Sequence, residues 1–124
     1  MLPTVLFLHG FFSSGACIPA QALRESLHGV ADVLSPDLPL HPAEALRFIR
    51  QICLDRHPAV LVGNSAGSFL AQQVAAEFSL PAVLGNPYFL MTEFLEPRRG
   101  PQRYKAPRAN GRQEFVIDQV LIDE

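Results

Sequence analysis

The chain has 124 residues, 48% hydrophobic and 18% charged, with a formal net charge of −2. That length buries one modest core, and the charge gives no electrostatic reason to expect nucleic acid or an acidic membrane as partner. No apolar run approaches the roughly 20 residues of a bilayer span, no basic segment with a cleavage site opens the chain, and Cys17 and Cys53 fit no metal-ligand spacing, so we expect one cytoplasmic domain, residues 1–124, with reduced thiols and neither metal nor cofactor.

In chain order, Val5-Leu6-Phe7-Leu8 is too short an apolar run for a helix and predicts a buried strand over Thr4–Leu8. It ends in His9-Gly10-Phe11-Phe12-Ser13-Ser14, a turn whose backbone N–H at Phe11 suits an oxyanion. That chemistry asks only for backbone donors, so the His9 ring is expected to bond local backbone. A helix over Ile18–Leu27, ended by Gly29, leads to a strand at Ala31–Leu34 and then to Pro36-Asp37-Leu38-Pro39-Leu40-His41-Pro42. The next helix, Ala43–Leu54, carries Leu46, Ile49, Ile52 and Cys53 as an apolar stripe, with Arg47, Arg50 and Gln51 toward water. This is the spacing of core packing. A strand at Ala59–Val62, a helix over Ser68–Phe78 and strands at Ala82–Leu84 and Phe115–Ile122 follow. Alternation of short apolar runs with 3.6-period stretches implies an α/β fold, a parallel sheet with right-handed crossover helices.

Between the third strand and third helix lies Gly63-Asn64-Ser65-Ala66-Gly67. A strand that turns sharply into a helix through G-x-S-x-G strains its serine and lifts Oγ above the sheet edge, and only small neighbours permit this. Ser65 is then a nucleophile, and the residue after it, Ala66, gives the second oxyanion N–H beside Phe11. The plain alternative is a glycine-bearing turn whose serine caps the helix.

Leu6-Phe7-Leu8-His9-Gly10-Phe11-Phe12-Ser13-Ser14, Ser35-Pro36-Asp37-Leu38-Pro39-Leu40-His41-Pro42, the Val62–Ala71 run through the elbow and Leu80-Pro81-Ala82-Val83-Leu84-Gly85-Asn86-Pro87 together resemble the small YqiA-like esterases of the α/β-hydrolase superfamily. The resemblance covers most of Leu2–Pro87 and resumes over Glu114–Asp123. It implies hydrolysis of a small-molecule acyl ester, with Ser65 as nucleophile and Phe11 and Ala66 as oxyanion donors.

One feature departs from the pattern. Chain order in these enzymes is Ser, then Asp or Glu, then His, yet His9, His28, His41 and His57 all precede Ser65 and no histidine follows it. The chain therefore reads as the nucleophile-bearing front of a hydrolase, truncated before its acid and base. Asp118 and Asp123, the only aspartates after Ser65, read as surface or strand-end acids. Of the upstream histidines His41, in a loop on the active-site rim, is the best candidate base, ahead of His28 at a helix end and His57 just before a strand, since triads are defined by geometry rather than order. The rival function is a non-catalytic binding or interaction domain that keeps the fold without a base.

Residues 87–113 change character, from the apolar Pro87–Leu95 to a proline- and arginine-rich run over Pro97–Arg112, and are expected to form a lid-like or flexible loop. As a lid, Phe89, Met91 and Phe94 would roof a pocket above Ser65. A sheet cut short exposes an edge and an apolar face, from which self-association is expected.

Overall fold

Successive side chains of a strand point to opposite faces, so a strand buried at every position needs cover on both sides. Val5, Leu6, Phe7 and Leu8 are all buried in β1 (Thr4–Leu8). In the computed structural model, which describes residues 2–10, 13–85, 100–103 and 114–117, that cover comes from helices on both faces. Leu6 and Leu8 join a core with Ala45, Ile49 and Cys53 of α2 (Pro42–Arg56) and Leu70, Ala71 and Val74 of α3 (Ala66–Phe78). Phe7 faces the other way, against Cys17 and against Ala20 of α1 (Ile18–Ser26). The third strand, β3 (Val60–Asn64), divides likewise, with Leu61 in the first cluster and Val62 against the second.

β2 (Asp32–Leu34) and β4 (Ala82–Gly85) complete a four-stranded sheet of order β2-β1-β3-β4, with every neighbouring pair parallel. The chain leaves β1 toward β2 on one side and leaves β3 toward β4 on the other. The carboxyl ends of these two central strands therefore diverge, and a crevice opens between them, the place where open parallel sheets bind ligands. The α/β fold expected from the alternating pattern is the one formed.

Each expected element in this part exists, with shifted ends. α2 starts at Pro42, because a proline at the first helical position gives up only an N–H that has no helical acceptor, and it runs on to Arg56. α3 starts at Ala66 rather than Ser68. The larger difference is at the end of the chain. Glu114–Ile117 (β6) does not extend the parallel sheet but pairs antiparallel with Gly100–Arg103 (β5), inside the stretch expected as lid or loop. Pro101 hid this strand, since proline removes a ladder donor and argues against strand; a two-stranded ladder is all edge and tolerates it. The remainder of 87–113, with Phe89, Met91 and Phe94, and residues 118–122 of the expected last strand lie outside the described residues.

Candidate active site

Three described non-glycine residues have positive φ. His57 (φ 47°, ψ 61°) and Ser79 (φ 54°, ψ 43°) are left-handed caps closing α2 and α3, an ordinary way to end a helix. Ser65 differs. Its φ of 56° and ψ of −120° lie outside the left-handed well, in a region that costs about 1–3 kcal/mol and persists only where surroundings impose it.

Those surroundings can be named. The Ser65 N–H donates to the Gly85 carbonyl at 2.8 Å, continuing the β3–β4 ladder past Asn64, and the Ser68 N–H closes a turn onto the Ser65 carbonyl at 2.9 Å. A Cβ at Gly63 would collide with the Gly67 carbonyl, and a Cβ at Gly67 with the Leu8 carbonyl, so both glycines are required by close backbone approach. Sequence reading missed the buried Ser68, whose hydroxyl lies 3.0 Å from the Gly63 carbonyl and 2.9 Å from that of Gly85. It ties the first turn of α3 to the ends of β3 and β4. A serine inside an apolar helical stretch was the available signal, because a buried hydroxyl must find a partner.

Ser65 occupies the position before α3, yet its side chain makes no capping bond and Oγ bonds to no described residue. The plain reading of a capping serine is therefore wrong for this turn. Ser65 lies against the β1 turn instead: a Cβ added at Gly10 would stand 3.3 Å from Ser65 Cβ and 3.8 Å from Oγ. Ala66 opens α3, and an N–H at that position has no helical acceptor and lies at the positive end of the helix dipole. Phe11, the other expected donor, lies outside the described residues.

The β1 turn is held by the loop after β2. His9 is 4% exposed; its Nδ1 is 2.7 Å from the Gly10 carbonyl, and its Nε2 is 2.9 Å from the Leu38 N–H. Because Nε2 accepts from a backbone donor, Nδ1 carries the proton and donates to Gly10. The ring bonds backbone as expected, but its second partner is 29 residues away rather than local. Gly15 adds two further ties, donating its N–H to Asp37 Oδ1 at 2.7 Å and accepting from Ser35 Oγ at 2.9 Å.

Beside this turn opens an apolar cleft. Its walls are His9 and Gly10 from the β1 turn, Leu38, Pro39 and Leu40 from the loop after β2, Pro42 and Ala45 from α2, and Ala66, Phe69 and Leu70 from α3. A pocket lined by Gly10 and Ala66, a strained serine next to both of them and helices on both faces of the sheet form one arrangement. In agreement with it, residues 5–123 match the Alpha/beta hydrolase family. The chain belongs to the α/β-hydrolase family.

For this α/β-hydrolase the histidines separate by place. His57 caps the far end of α2, about 18 Å along the helix from the cleft residue Ala45 at 1.5 Å per residue. His28 is exposed just past α1, in a surface groove with Gln21, Arg24 and Glu25. His9 has both nitrogens committed to backbone. His41 is half-buried at the cap of α2, with no side-chain capping bond, between the cleft residues Leu40 and Pro42. Asp118 and Asp123 lie outside the described residues. Among the described residues no three His, Cys, Asp or Glu side chains gather as metal donors would, and no helix is long and apolar enough to cross a membrane.

Proposed function

We propose that this hydrolase cleaves carboxylic esters through an acyl-enzyme on Ser65. The observation that carries the reading is the strained backbone of Ser65, whose Oγ is spent on no cap and whose side chain lies beside the Gly10 turn. Oγ attacks the ester carbonyl carbon as its proton passes to a base, the tetrahedral oxyanion points at the N–H groups of Ala66 and Phe11, and the alcohol leaves with that proton. Water then reverses the sequence and frees the acid. Of the histidines in the chain, His9 lines the cleft but has both ring nitrogens bonded to backbone, and His41 stands between the cleft residues Leu40 and Pro42; we assign His41 the role of base.

Two measurements test the reading. A fluorophosphonate should label the protein at Ser65, and hydrolysis of p-nitrophenyl acetate should fall in Ser65→Ala to the level that binding and oxyanion contacts alone supply, on the order of 10³–10⁴-fold over water in comparable triad losses. His41→Ala should fall as far as Ser65→Ala; an unchanged rate would remove His41 from the mechanism and leave Ser65 in it. A chain that takes no label and turns over no activated ester favours the rival, a binding domain that keeps the fold without the chemistry.

A further inference from the structure

Resting on that reading, we propose that Ser68 is a positioning residue for the reaction, its hydroxyl aiming both the Ser65 nucleophile and the Ala66 oxyanion donor. The backbone at Ser65 is set by the two peptide planes that flank it, since φ and ψ are the only soft rotations between them. The plane before Ser65 is held through its N–H, which donates to the Gly85 carbonyl at 2.8 Å. The plane after it is held through its carbonyl, which accepts the Ser68 N–H at 2.9 Å. Ser68 joins the two. Its Oγ lies 2.9 Å from that same Gly85 carbonyl and 3.0 Å from the carbonyl of Gly63, with a single proton to give to the pair. One side chain therefore links the acceptor of the first plane to the donor on the second.

The second plane also carries the Ala66 N–H. In a planar trans peptide the N–H points opposite to the carbonyl, so a Ser65 carbonyl turned in toward Ser68 turns the Ala66 N–H away from α3. A rotation that relaxed Ser65 from φ 56° and ψ −120° would swing the nucleophile and this donor together. Filling space does not account for a serine at this place. Ser68 is 0% exposed, and the buried small side chains elsewhere on α3, at Ala66, Ala71 and Ala75, are alanine. Alanine favours a helix more than serine does and brings no hydroxyl to satisfy. What serine adds over alanine at position 68 is the bond to the strand-end carbonyls.

Ser68→Ala removes the hydroxyl and little volume. For p-nitrophenyl acetate its kcat is expected to fall about ten- to a hundredfold, the scale of a misplaced reacting group, with KM within about twofold of wild type, the pattern of an interaction felt in the transition state. Ser68→Thr keeps a hydroxyl and should recover most of kcat; if its extra methyl prevents folding, Ser68→Ala decides alone. Hydrogen exchange reads the same link with no chemistry. The Leu61 N–H donates to the Pro81 carbonyl at 3.0 Å, at the other end of the β3–β4 contact. General loosening of β4 speeds Leu61 and Ser65 alike, whereas loss of a local pin should speed Ser65 about tenfold or more relative to Leu61. An unchanged exchange ratio in Ser68→Ala, or an unchanged kcat, overturns the proposal. If wild-type protein takes no fluorophosphonate label and turns over no ester, the ester reading is what fails, and the exchange ratio then decides whether Ser68 sets Ser65.

Discussion

The glycines around Ser65 carry different burdens, and single methyl groups tell them apart. At Gly67 a Cβ meets the Leu8 carbonyl, which is backbone in the central strand and cannot step aside. Gly67→Ala is expected to cost about 3 kcal/mol or more, as overpacking does where nothing can shift, read as a lowered urea midpoint. At Gly10 the added methyl would stand 3.3 Å from Ser65 Cβ. That contact is relieved by a few tenths of an ångström, so Gly10→Ala should lose less than about 1 kcal/mol of stability. The relief moves Ser65, however, and for a serine in the proposed role small misplacements are expensive in rate. Ester hydrolysis by Gly10→Ala should drop at least about tenfold while the urea midpoint barely changes. His9→Ala should show the opposite balance. It leaves the buried Leu38 N–H without its acceptor, at a cost of about 1–3 kcal/mol, visible in the same unfolding curve.

Helices α2 and α3 share the core beneath the site and are also joined at the surface. Arg50 reaches Glu77 with two charge-assisted bonds, Nε to Oε2 at 2.8 Å and Nη2 to Oε1 at 2.6 Å. The sequence reading turned Arg50 toward water; its partner, 27 residues away on another helix, is beyond what helical spacing can reveal. The hydrogen bond from Arg50 holds the Glu77 carboxyl below the usual glutamate range. Its folded value lies below the unfolded one, so the stabilisation is present above the ordinary glutamate pKa of about 4.3 and is lost as pH falls through the folded value. Wild-type protein should therefore melt above Glu77→Gln at pH 7, and the gap should close toward pH 3. Beneath the pair, burial and then the Glu77 charge push the Cys53 thiol up. Thiolate is the reactive form, so Cys53 should react with iodoacetamide at pH 8 more slowly than in the unfolded chain.

The whole molecule shows where sequence suffices and where it stops. The central strands were legible because Val5–Leu8 and Val60–Val62 are apolar runs too short for helices, and the turn at Ser65 because G-x-S-x-G marks a strand that passes sharply into a helix, although the backbone that Gly67 must clear belongs to Leu8 in another strand. The topology followed from alternation. What stayed hidden rests on contacts between distant residues: the His9 to Leu38 bond, the Ser68 hydroxyl between Gly63 and Gly85, and the pairing of β5 with β6 despite Pro101. The cleft belongs with these, since Leu38, Ala45 and Phe69 come from three separate segments. Periodicity reports that such residues are apolar, not that they meet beside Ser65.

The bond from the Ser65 N–H to the Gly85 carbonyl bears on timescales. Ser65 holds its high-energy dihedrals because this bond to β4, the Ser68 hydroxyl between β3 and β4, and the Gly67 contact with Leu8 of β1 all grip backbone of the sheet. None of them is a loop that opens by itself. Amide exchange at Ser65 and Ser68 should therefore need an opening of the sheet that parts β4 from β3, and should be slow, while amides of α1, whose Ala20 is its single buried residue, exchange through smaller local openings. Native-state hydrogen exchange measures this directly. The strained serine would then be a lasting property of the folded state, kept between turnovers and surrendered only when the sheet itself comes apart.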